Sequence, residues 1–111
     1  MTRRFVQTKP FLSAWELMRL DDTALSALEN TLLSFPEAGD IVEGTGGARK
    51  LRIPLYGRGK SGGARVIYFD VGDVIFLLTA YPKNVQEDLT QAQKKQLKEL
   101  THTIRGEQAH G

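Results

Sequence analysis

Residues 48–84 read ARKLRIPLYGRGKSGGARVIYFDVGDVIFLLTAYPKN, three successive strand signals with short connections. Leu51, Ile53 and Leu55 alternate with Lys50 and Arg52, which predicts a strand with one apolar and one basic face. Pro54 puts that strand at an edge or a bulge, because proline cannot donate to a ladder. Residues 57–63 make a basic, glycine-rich loop containing Arg58 and Lys60. Arg65–Phe69 supplies a second strand and Val71-Gly72-Asp73 a turn. The unbroken apolar run Val74–Ala80 reads as a third, buried strand. Short connections between the three imply an antiparallel meander.

Working outward, residues 3–7 suit a short strand. Pro10 suits the first turn of a helix, where its missing N–H is not needed. Phe11, Leu12, Trp15 and Met18 follow at helical spacing. Asp21 or Asp22 caps a second helix carrying Leu25, Leu28, Leu32 and Phe35 on one face, and Pro36 ends it. The two helices are expected as an antiparallel pair against the sheet. Beyond the third strand, Thr90-Gln91-Ala92-Gln93 fits a capping box before a helix lined by Leu97, Leu100 and Ile104. The order is β-α-α-β-β-β-α, an α+β fold with an antiparallel meander at its centre. Residues 1–105 are expected as one domain and 106–111 as a disordered tail.

The 111 residues match one domain with a real core, 41% hydrophobic and 25% charged. The absence of cysteine excludes disulfides, thiol nucleophiles and thiolate metal sites, and suits a reducing cytoplasm. No run approaches the roughly 20 apolar residues of a membrane span, and no apolar stretch follows the basic N-terminus. The expectation is a cytoplasmic protein without membrane, metal or cofactor. The net charge is only +2, but its distribution is uneven. Between Glu43 and Asp70 there is no acid, while Arg49, Lys50, Arg52, Arg58, Lys60 and Arg65 all fall there. A solvated polar sheet face explains such a block. So does a phosphate site, since clustered like charges oppose folding until a ligand neutralises them.

Other motifs carry less. Gly59-Lys60-Ser61 echoes the end of a P-loop, but Pro54 stands where its first glycine belongs and a strand follows instead of a helix. His102 and His110 have no ligand partner at useful spacing and read as solvated side chains. Tyr81 and Lys83 follow the buried strand. If the end of that strand returns beside the first, a phenol and an ammonium join the basic cluster, suited to stacking on a base and meeting a phosphate.

Gly44-Thr45-Gly46-Gly47-Ala48-Arg49-Lys50-Leu51-Arg52, then residues 59–68, Leu77–Asn84 and Asp88-Leu89-Thr90, together resemble the HigB branch of the RelE/ParE toxin superfamily. The resemblance runs from about residue 4 to about residue 105. It implies a small antiparallel sheet with two N-terminal helices and one C-terminal helix. It also implies a toxin that enters the ribosomal A site and cuts messenger RNA, held in check by a cognate antitoxin, often a helix-turn-helix protein. The carried-over site residues are Lys50, Arg52, Arg65, Tyr81 and Lys83, with Arg49, Arg58 and Lys60 as RNA contacts. Some relatives carry a catalytic tyrosine nearer the last helix, where this chain has none after Tyr81.

The chemistry implied needs no metal. The 2′-hydroxyl attacks the adjacent phosphate, giving a cyclic phosphate and a 5′-hydroxyl. Arginine suits the charge on the phosphorane, because its planar fork binds two oxygens; Arg65 is expected in this role, aided by Arg52. Lys50, Lys83 or Tyr81 would move protons. Two rivals share the fold: a ParE-like toxin that binds DNA gyrase without cutting nucleic acid, and a non-catalytic RNA-binding regulatory module.

Overall fold

The computed structural model describes residues 3–55 and 63–110. Its elements are β1 (Arg4–Gln7), α1 (Lys9–Leu17), α2 (Asp22–Ser34), β2 (Asp40–Ile41), β3 (Arg49–Ile53), β4 (Ala64–Val71), β5 (Val74–Pro82) and α3 (Gln91–His110). The predicted order is present, with the two-residue β2 added at the edge beside Arg49 and Lys50. The sheet order is β1-β5-β4-β3-β2. The meander β3-β4-β5 is antiparallel as expected, but β1 joins β5 in parallel, so the sheet is mixed. Parallel pairing requires a long crossover, and α1, α2, β2, β3 and β4 supply it.

Local chemistry sets the element ends. Thr8 caps α1 by accepting from the Phe11 N–H, with Pro10 in the first turn. Asp21, not Asp22, caps α2, accepting from the Ala24 N–H at 2.9 Å. β3 stops at Ile53, just before Pro54. Thr90 and Gln93 form the expected reciprocal box at the start of α3, at 2.9 and 3.1 Å.

The sheet separates two cores. On one face Phe11, Trp15, Met18, Leu28 and Leu32 of the N-terminal helical segment pack on Ala64, Val66, Tyr68, Ile75, Leu77 and Ala80. On the other, Leu97 and Ile104 of α3, with Leu89 before it, pack on Ile67, Phe69, Leu78 and Tyr81. Thr101, not the expected Leu100, takes the buried place between Leu97 and Ile104; Leu100 is 37% exposed. The reason is the loop before β3. Gly46 and Gly47 have φ of +75° and +110°, and the hydroxyl of Thr101 donates to the Thr45 carbonyl at 2.9 Å. The glycine stretch before β3 is therefore a docking surface for α3.

The helix α3 continues through Gly106 to His110, beyond the predicted end of the fold. One glycine inside a helix costs about 1 kcal/mol, a cost that a helix of this length tolerates between Arg105 and Glu107, both good helix formers.

Candidate active site

Strand register assembles the basic cluster. Arg52 on β3 lies directly opposite Arg65 on β4, and Arg65 lies directly opposite Tyr81 on β5. Directly opposed residues keep their Cβ atoms about 5 Å apart on one face. Two guanidiniums and a phenol thus form a row across three strands. Lys50 stands one row further along, opposite Ile67, which faces Thr79. This face is the one α3 covers, and the row lies towards the sheet end at which β3 leaves for and β4 returns from residues 54–63.

A bulge puts Tyr81 in that row. Ile75 and Leu77 join the core under α1 and α2, so strict alternation would send Tyr81 to the same side. Between Ile67 and Tyr68 the register shifts: Ile67 pairs with Thr79 but Tyr68 pairs with Leu77, leaving Leu78 as an extra residue. One extra residue reverses the parity of everything after it. Tyr81 therefore faces Arg65 and packs in the second core. The Thr8 hydroxyl, able to donate to the Leu77 carbonyl at 3.1 Å or the Leu78 carbonyl at 2.8 Å, braces the bulge from α1.

The return of the chain into β4 needs glycine at one point. Gly63 has φ of +58°, and a Cβ there would collide with the Ile53 carbonyl. Gly63 also accepts from the Lys83 N–H at 3.0 Å, extending the β4–β5 ladder past Pro82. Lys83 thus sits, half-buried, at the same sheet end as Arg65 and Tyr81.

Charge and solvation distinguish the groups. Arg52 is exposed and Arg65 half-buried, with like charges directly opposed, an arrangement that an anion bound between them would stabilise. Tyr81 is 6% exposed, and its hydroxyl is the one buried side-chain polar atom without a hydrogen-bond partner among the described residues. Burial pushes the phenol above its ordinary value; the negative charge of Asp88 adds to this and Arg65 partly offsets it. Tyr81 is therefore a neutral phenol at neutral pH, a hydrogen-bond donor lacking an acceptor among the described residues. Lys50 donates to Asp88 at 3.0 Å. That hydrogen bond and the lysine charge hold the Asp88 carboxyl below its usual range.

The sequence-predicted residues divide. Lys50, Arg52, Arg65 and Tyr81 come together, with Lys83 at the same sheet end. Tyr81 reaches the cluster beside β4, not beside β3 as expected, because β4 is the central strand of the meander. Arg49 leaves the cluster: one residue from Lys50, it faces the other side and donates to the Gly39 carbonyl at 2.7 Å. Arg58 and Lys60 lie outside the described residues. His102 is exposed on α3. Among the described residues no three His, Cys, Asp or Glu side chains gather as a metal site, and no helix is long and apolar enough to cross a membrane. Asp88 is the group that sequence reasoning missed. It is distant in sequence from the acid-free segment, and only the β5–α3 connection brings it back.

The chain matches the family model described as the RelE toxin of the RelE/RelB toxin–antitoxin system over residues 4–110. Among solved structures it is similar to the E. coli toxin RelE, determined as a double arginine-to-alanine mutant in the free state. Identity is 20%, the alignment covers 78% of this chain and 90% of that one, and the TM-score is 0.53. The two share a fold.

Proposed function

The chain belongs to the RelE toxin family, matched over nearly its whole length, and we propose that it is a HigB-type, ribosome-dependent endoribonuclease that cuts messenger RNA without a metal. The observation that carries the reading is the Arg52–Arg65–Tyr81 row, with a buried phenol that has no acceptor among the described residues. A phosphate bound across that row meets two guanidiniums and one donor.

In the proposed reaction the 2′-hydroxyl attacks the adjacent phosphorus, the bond to the 5′ oxygen breaks, and a cyclic phosphate remains. Arg65, at the centre of the row, neutralises the phosphorane with Arg52 beside it. The Tyr81 phenol keeps its proton at neutral pH, so it acts as donor and not as base, reaching the departing 5′ oxygen when RNA binding uncovers its hydroxyl. Lys50, paired with Asp88, contributes positive charge. Lys83 adds positive charge beside the phosphate, and the proton of the 2′-hydroxyl passes to solvent. The ribosome aligns the codon, and a cognate antitoxin of the helix-turn-helix kind restrains the toxin in the cytoplasm.

The deciding assay is primer extension on messenger RNA translated in a purified system. Stops within codons are expected with the parent, and Arg65→Ala, at the half-buried start of β4, is expected to remove them while keeping the fold. The loss should be about 10²–10³ in rate, the size of one charge-stabilising contact. Growth arrest without RNA stops would instead favour a gyrase-directed toxin, and RNA binding without stops a non-catalytic module.

A further inference from the structure

We propose that Asp88 is a positioning residue for the cleavage reaction, holding the Lys50 ammonium at the edge of the cation row so that it meets the scissile phosphate. This rests on the ribonuclease reading above.

A carboxylate is out of place on a face built to receive phosphate. It repels the substrate, and its stabilising value is small: the Asp88 side chain is 69% exposed, and exposed ion pairs contribute little to folding. Yet its placement is built. The Gln86 side-chain amide donates to the Asp88 carbonyl at 2.9 Å. The next residue, Leu89, is buried in the core that also holds Tyr81. The residue after that, Thr90, is locked by the α3 capping box. Asp88 is thus carried on a segment tied on both sides, at 3.0 Å from the Lys50 Nζ. Lysine has a long, flexible stem and its ammonium has no preferred plane, so it needs an external partner to be fixed. Asp88 also lies within electrostatic reach of Arg65, Lys94 and Tyr81, at the junction of the row and α3.

The test is single-turnover cleavage on programmed ribosomes by the parent, Asp88→Asn, Asp88→Glu, Lys50→Ala and the double variant Lys50→Ala/Asp88→Asn. Asp88→Asn is expected to lower the saturated rate by about tenfold or more, the scale of a displaced reacting group. The half-saturating toxin concentration should fall by about two- to fivefold, because one repelling charge is gone. A merely structural residue would not lower the rate while tightening binding. Asp88→Glu, which keeps the carboxylate, should recover most of the rate. In the Lys50→Ala background the Asp88→Asn change should cost nothing further, since its effect passes through that lysine. Thermal melts of Asp88→Asn and parent should superimpose. An unchanged or faster rate in Asp88→Asn, or losses that multiply in the double variant, would overturn the positioning role alone. A parent that leaves messenger RNA intact would overturn the ribonuclease reading and this role with it.

Discussion

Removing the hydroxyl of Tyr81 should make the protein more stable and less active at once. The Oη atom is buried and lacks a partner among the described residues. A buried polar group left unsatisfied costs about 1–3 kcal/mol. Tyr81→Phe keeps the ring, which packs with Ile67, Leu78 and Leu89, and removes only the stranded dipole. A gain of about 1 kcal/mol is expected, equivalent to a rise of about 4 °C in melting temperature for a domain of this size. In urea the midpoint should rise with an unchanged slope, since the buried surface is the same. Cleavage should fall by about 10²-fold, the value of one donor aimed at developing charge. Tyr68 is the internal control. It is fully buried on the opposite face, donating to the Pro36 carbonyl at 2.8 Å and accepting from the Gly39 N–H at 2.9 Å. Tyr68→Phe strands two backbone groups and should lose about 2 kcal/mol. A Tyr81→Phe protein that melts below the parent would show that the hydroxyl has a partner in the folded state. Full cleavage by that variant would remove Tyr81 from the reaction.

Alkaline pH should unfold the chain through the same two tyrosines. Burial raises both phenols above the ordinary 10.0, so the unfolded state releases these protons first. Their stability contribution is complete below about pH 10 and is lost as pH rises through the raised values; urea midpoints measured across that range should fall for the parent and fall less for Tyr81→Phe. Binding to ribosomes or to uncleavable 2′-O-methyl RNA should weaken steeply between about 50 and 200 mM salt if several phosphates are neutralised, and a flat response in a filter-binding titration would count against the phosphate interface. Co-expression with a cognate antitoxin should restore growth while leaving Arg52 and Lys83 open to chemical modification, as expected of an inhibitor that blocks ribosome entry by bulk; protection of both would point to direct occlusion of the row. Tyr81 is too buried to serve as a probe in that experiment.

Much of this fold is legible in one pass along the chain, because its signals are local. Alternation around Leu51 and Ile53, the prolines at 10, 36 and 54, and the Thr90–Gln93 box each act within a few residues and each appear where expected. The parallel docking of β1 on β5 is not local: Arg4 pairs with Val74 across seventy positions, and nothing in a four-residue strand names its partner. The site was legible where strand parity could be counted and opaque where it could not. Lys50 and Arg52 share a face by counting alone. The same count sends Arg49 the other way, although the charge block had grouped it with them. For Tyr81 the count misleads, since the apolar run Val74–Ala80 has no polar residue at every second place to mark a missed beat. The bulge at Leu78 sits inside that run, and it decides whether the phenol joins the core under α1 and α2 or the face that carries the cation row. Both faces at this point are apolar cores, so either parity is tolerable for packing. The choice is made by neighbours outside the strand: Thr8 braces the Leu77 and Leu78 carbonyls, and Leu89 closes over Tyr81. The site's polar row thus depends on contacts from α1 and from the segment before α3. Substitutions there that spare every charged residue can still turn the phenol away from Arg65.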